Sequence, residues 1–105
     1  MIPRRRHMIV VRDVFQIEPE KMKQAKDEIK QHRQLTAPLG YRLARVMTDL
    51  SGDFYTLVFE SEFASLADYE KALKNILADK GWQASYGRLR KMIRSGRREI
   101  YTVVD

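Results

Sequence analysis

The second half of the chain, taken as one run, limits the fold more than any other feature. Tyr55-Thr56-Leu57-Val58-Phe59 is dense in β-branched and aromatic residues and reads as the middle of a strand from Phe54 to Glu62. Ser65, with Asp68 three residues on, then marks a helix start. Leu66, Tyr69, Leu73, Ile76 and Leu77 recur at helical spacing. Asp79-Lys80-Gly81 interrupts this stripe, and a second helical pattern from Gln83 to Ile93 continues the spacing of Trp82, Tyr86, Leu89 and Ile93. Ser95-Gly96 is expected to end it, with a last strand at Glu99–Val104.

The first half repeats the order. Met8 to Ile17 reads as a strand with apolar residues on both faces: Ile9, Val11, Phe15 and Ile17 on one, Met8, Val10 and Val14 on the other. Glu18-Pro19-Glu20 suits a helix entry, since proline fits the first turn and acids complement the helix dipole. Met22, Ala25, Ile29 and His32 or Arg33 form its apolar stripe, and Pro38 and Gly40 stop it. A second strand is expected over Tyr41–Thr48, and Leu50-Ser51-Gly52-Asp53 as a hairpin turn into the third.

Strand-helix-strand twice over predicts an α+β domain of the ferredoxin-like β-α-β-β-α-β type. It would be a four-stranded antiparallel sheet with its helices on one face. With 105 residues it is one domain, 8–105, behind a basic arm at 1–7. The second apolar face of the first strand, with Phe54 and Val58, asks for cover. A homodimer packed sheet to sheet into an α/β barrel is the expectation.

Composition narrows the chemistry. Absence of cysteine removes thiolate sites and disulfides, and no apolar run approaches the roughly 20 residues of a membrane span. A cytoplasmic protein is expected. The net charge of +6 gathers at Arg4-Arg5-Arg6 and between Arg88 and Arg98. It reads either as a phosphate footprint or as solvated surface. With two histidines, a transition-metal site would need several carboxylates, so no metal is assigned.

Asp13 is the catalytic candidate, because it interrupts the apolar face of a central strand. Buried, it is either a general base in a sheet–helix pocket or one half of an ion pair. Arg12, Arg42 and Arg45 are the partners considered, with the second-strand arginines better placed than Arg12. Tyr55, Tyr69, Trp82 and Tyr86 are candidates for an aromatic ligand-binding wall, or for plain core. His32 is a candidate ligand-binding and proton-exchanging group, or a helix-terminal histidine, partly exposed.

Val14-Phe15-Gln16-Ile17-Glu18-Pro19-Glu20-Lys21 resembles the first strand and helix entry of the dimeric α/β-barrel superfamily. Phe63-Ala64-Ser65-Leu66-Ala67-Asp68-Tyr69 and Ala78-Asp79-Lys80-Gly81-Trp82 resemble the middle of its NIPSNAP-like and antibiotic-biosynthesis-monooxygenase-like members. The resemblance implies the barrel-forming dimer. Haem-degrading members carry an asparagine, a tryptophan and a histidine where Asp13, Ile76 and Tyr86 stand here, so no cofactor is implied. The leading expectation is a dimeric small-molecule-binding protein, with a cofactor-free monooxygenase-like reaction in view. The alternatives are an RNA-binding domain of the same fold class, without specific nucleic-acid contacts in the favoured reading, and a structural or regulatory dimer with no reaction.

Overall fold

A computed structural model describes residues 8–104, so the basic arm lies outside the described residues. The elements run β1 Ile9–Ile17, α1 Met22–Thr36, β2 Arg45–Thr48, β3 Thr56–Phe63, α2 Leu66–Ala78, α3 Lys80–Arg90 and β4 Ile93–Thr102. Short 3-10 turns flank α1 at Pro19–Lys21 and Ala37–Leu39. The sheet order is β2-β3-β1-β4 and every neighbouring pair is antiparallel. This is the ferredoxin-like order, with the second helical segment split in two. No described helix is long and apolar enough to cross a membrane.

Alternation assigns the two sheet faces. Ile9, Val11 and Ile17 of β1 and Leu57, Phe59 and Phe63 of β3 join Ala25 and Ile29 of α1, Ala72 and Ile76 of α2, and Leu89 of α3 in one core. The opposite face stays open. There Glu60 lies under Arg12 at 2.8 Å and Arg45 at 3.1 Å, and Arg97 reaches Glu99 at 2.9 Å. Leu57 and Leu89 are fully buried, so truncating either to alanine is expected to cost about 2–5 kcal/mol.

Four boundaries differ from the sequence expectation, each for a local reason. The second strand is four residues rather than eight: Tyr41 and Leu43 are core residues on a connecting segment, where Arg33 Nη2 donates to the Leu43 carbonyl at 2.9 Å. Phe54 and Tyr55 lie ahead of β3, in the loop after β2, with Tyr55 at φ 62°. Phe54 is 80% exposed there and so is not part of the open sheet face that was expected to dimerise.

Only Asp79 interrupts the last helical run. Its carboxylate accepts the Trp82 N–H at 2.8 Å and caps α3, which therefore begins at Lys80. Gly81 sits inside that first turn, where a β-carbon would come within 3.2 Å of Leu35 on α1 and of the Asp79 carboxylate. Its small size permits the close approach; it is not a breaker here.

Ser95-Gly96 is likewise not an end but part of β4. Gly96 lies opposite Phe15, and a β-carbon on it would stand 2.9 Å from the Phe15 ring. Glycine inside a strand marks this kind of approach.

Candidate functional site

A cleft of about 660 Å³ opens between the helix-bearing face of the sheet and the α2–α3 pair. Its apolar wall comes from Phe15 of β1, Phe59 of β3, Leu73 and Leu77 of α2, Ile93 of β4, and Trp82 and Tyr86 of α3. The Trp82 and Tyr86 rings are stacked, with centroids 5.0 Å apart and planes 5° from parallel. Spaced by four residues, they share one side of α3. The absent side chain at Gly96 leaves room for Phe15 in this wall.

Asp13 enters the cleft from β1, 8% exposed. Its partner is none of the arginines considered from sequence. Arg98 stands directly opposite on β4 and grips both carboxylate oxygens, Nε to Oδ1 at 2.6 Å and Nη2 to Oδ2 at 3.2 Å. The third guanidinium nitrogen donates to the Tyr69 hydroxyl at 2.8 Å. The hydrogen bonds from Arg98 to the carboxylate hold the guanidinium pKa above its ordinary value. Tyr41, also beside this pair, is buried with no hydrogen-bond partner for its hydroxyl among the described residues, and burial pushes its phenol up. A carboxylate clamped this way is an orienting and charge-balancing group rather than a free base.

His32 is the second polar entry to the cleft. It is 4% exposed and lies within α1, four residues before its end, not as the partly exposed helix-terminal group that the sequence left open. The Phe59 ring stacks on it at 6.1 Å and Trp82 leans on it at 6.0 Å. Nδ1 is 3.0 Å from Ser85 Oγ, and the Ser85 hydroxyl donates to Glu28 Oε2 at 2.8 Å. Arg88 holds both oxygens of Glu28, at 2.8 and 3.0 Å. Burial lowers the His32 pKa and Glu28 opposes that shift, while the Arg88 bonds lower the pKa of Glu28. The Trp82 indole N–H is buried without a partner among the described residues.

The structure therefore brings Asp13, His32, Trp82 and Tyr86 to one cleft. Tyr69 stands behind Arg98 as its hydrogen-bond partner. Tyr55 is elsewhere, in the loop after β2 beside Phe54, Met22 and Lys26. Its odd position matched the strand alternation, but it precedes the first ladder residue of β3. Sequence reasoning missed Arg98, because it placed that residue in a turn. It also missed the Glu28–Ser85–Arg88 group. Glu28 and His32 are four apart and Ser85 and Arg88 three apart, so each pair shares a helix face, but only the packing of α1 on α3 joins them. Among the described residues no three His, Asp or Glu side chains gather as a metal-binding group.

Comparison with known proteins agrees with this fold. A NIPSNAP family protein from Agrobacterium tumefaciens superposes with a TM-score of 0.86 at 25% identity, covering 94% of this chain and 88% of that one. A NIPSNAP domain protein from Burkholderia xenovorans gives 0.83 at 17% identity, with coverage of 91% and 94%. SnoaB, a cofactor-independent oxygenase from Streptomyces nogalater, gives 0.68 at 13% identity, with coverage of 94% and 95%, a likeness of fold alone. No curated protein matches the chain. The sequence profile of the NIPSNAP family matches residues 12–105, nearly the whole chain including every strand and helix that forms the cleft, and the protein belongs to the NIPSNAP family.

Proposed function

We propose that this chain binds a small, flat, weakly acidic organic molecule in the cleft and activates it for a cofactor-free, oxygenase-like reaction. The observation that carries the reading is the cleft itself. It is of the size that small-ligand sites have, walled by aromatic and aliphatic side chains, with His32, the Asp13–Arg98 pair, Arg90 and Arg97 as its charged and titratable groups. The parallel Trp82–Tyr86 pair offers a planar surface to a planar ligand. Arg90 supplies positive charge for an anion formed from that ligand, and Arg98, its own charge balanced by Asp13, offers N–H donors. The shared fold with a cofactor-independent oxygenase supports the reaction class.

The RNA-binding alternative has less support. The open face of the two central strands carries Val10, Arg12, Val14 and Gln16 with Thr56, Val58, Glu60 and Glu62, which offer no aromatic for base stacking. That face instead suits a second copy of the chain. It places Val10, Val14, Val58 and Met47 beside Glu60 and its arginines, apolar area that a two-fold partner would cover.

Trp82 is the only tryptophan, so its fluorescence reports on the cleft directly. Titration with a panel of polycyclic phenols and quinols is expected to quench it saturably, and Phe59→Ala is expected to weaken the binding. Consumption of dioxygen with a binding member of the panel tests the reaction class. Absence of saturable binding across the panel would reject the ligand reading. Light scattering at the mass of a single chain at micromolar concentration would reject the second copy.

A further inference from the structure

We infer that His32 is the proton acceptor of the cleft, its Nε2 kept unprotonated and presented to an acidic O–H or C–H of the bound molecule by the Arg88–Glu28–Ser85 chain behind it. The inference rests on the cleft being a ligand site.

The hydrogen bonds determine the tautomer in sequence. Glu28 receives two bonds from the Arg88 guanidinium, at 2.8 and 3.0 Å, and one from the Ser85 hydroxyl at 2.8 Å. An ionised carboxylate only accepts, so the single hydroxyl proton of Ser85 is directed at Glu28. The Ser85 oxygen is then an acceptor toward His32, 3.0 Å from Nδ1. The proton in that bond must be carried by Nδ1. A neutral imidazole has one N–H, so Nε2 is left with its lone pair. No described residue makes a hydrogen bond to Nε2, and the ring lines the cleft. Nε2 is not sealed off as Tyr41 Oη and Trp82 Nε1 are, so its lone pair is open to whatever fills the cleft.

The surroundings suit an acceptor. Phe59 of β3 and Trp82 of α3 press on the ring and disfavour the imidazolium in the resting protein. Glu28 is the charged group that acts on it from α1, with Arg88 of α3 beyond; the Asp13–Arg98 pair of β1 and β4 and Tyr86 of α3 share the cleft. In the proton transfer the substrate X–H bond breaks, an N–H bond forms at Nε2, and the electron pair stays on X. The imidazolium so formed donates through Ser85 toward the negative Glu28. The substrate anion has Arg98 and Arg90 in the same cleft. Ser85, Glu28 and Arg88 are positioning residues in this scheme, an arrangement in which a base is itself oriented by a third group.

The test reads the two ring nitrogens of His32 by long-range proton–nitrogen NMR on the labelled full chain at neutral pH. His7→Gln assigns the signals, since His7 and His32 are the only histidines. A single tautomer with the proton on Nδ1 is expected. Glu28→Gln gives Ser85 a neighbour that can donate, so the hydroxyl can turn toward Nδ1 and the spectrum should become a mixture of tautomers. Ser85→Ala, which adds no bulk to the fully buried site, should also release the preference if Glu28→Gln fails to fold. Naphthalen-2-ol as probe should quench Trp82 and move the Nε2 resonance while leaving Nδ1 nearly in place. Protonation of Nε2 in the free protein would overturn the inference, as would unchanged tautomers in Glu28→Gln and Ser85→Ala. Quenching with an unmoved Nε2 would overturn it and leave the ligand reading standing. No quenching at all would count against the cleft as a phenol site, and so against both.

Discussion

The two faces of the sheet carry similar charges and use them differently. On the open face Glu60 lies between Arg12 and Arg45, and Arg97 pairs with Glu99. Arg45 and Arg97 are largely in water, Arg12 is partly so, and each ion pair is closed on itself. On the helix-bearing face Asp13 and His32 sit among apolar side chains, and their partners come from β4 and α3. There the surroundings amplify every charge, and the hydrogen-bond capacity left over points at a cleft. Charge content along a strand therefore says little about chemistry. What matters is whether the opposite layer completes the hydrogen bonds or leaves one open.

Breaking the covered face should cost the most. Asp13→Ala leaves Arg98 beside apolar walls without its carboxylate and should destabilise by about 2–3 kcal/mol, below the usual cost for a fully buried pair because Arg98 is partly solvated. Glu60→Ala, its counterpart on the open face, should cost about 1–2 kcal/mol. Glu60 is as buried as Asp13 and Arg12 as exposed as Arg98, so the smaller cost rests on Arg45 being largely in water and on the apolar walls around Arg98. Urea denaturation of the two variants measures the contrast. A cost for Glu60→Ala above that for Asp13→Ala would mean that the open face is further shielded, as a second copy would shield it.

Gly96→Ala comes next. Its β-carbon would meet the Phe15 ring at 2.9 Å, so Phe15 must move into the cleft, at roughly 1–3 kcal/mol. Ligand quenching of Trp82 should weaken with it. A variant as stable as wild type, with unchanged ligand binding, would place Phe15 outside the site.

A pH effect of intermediate size is expected from His32. Its pKa is lowered in the folded protein, so the unfolded chain binds more protons below the ordinary imidazole value of about 6.5. Stability should therefore fall as pH drops through the window between that value and the lowered folded one, and be unaffected above it. The slope should be absent in His32→Gln. A slope that persists there belongs to other groups.

Least of all should change on the open face, where Arg97→Ala removes an exposed pair with Glu99 and should leave the denaturation midpoint unmoved. A clear loss would show that Arg97 meets something beyond its own chain.

Local chemistry made much of this protein legible before its structure. The alternation in β1, the helical stripe of α1, the Ser65 cap and the Pro38–Gly40 stop depend on neighbours close in sequence, and they stand where expected; in α2 the buried face is Tyr69, Ala72 and Ile76, while Leu66 and Leu77 of the expected stripe are exposed. The convergence of Trp82 and Tyr86 was legible too, because four residues make one helix face. The family resemblance rests on the same local patterns. What failed was the reading of glycine as punctuation. Gly81 and Gly96 are small because α1 and Phe15 press on them, and nothing nearby in the chain announces a partner forty or eighty residues away. The same limit hid Arg98 from Asp13 and Ser85 from His32. Register across β1 and β4, and the seating of α3 on α1, bring those pairs together. Element order and the supply of residue types were written along the chain, in patterns a few residues long. The clamp on Asp13 and the free nitrogen of His32 were settled only by packing between layers, because hydrogen bonds are directional and short and their partners come from distant segments.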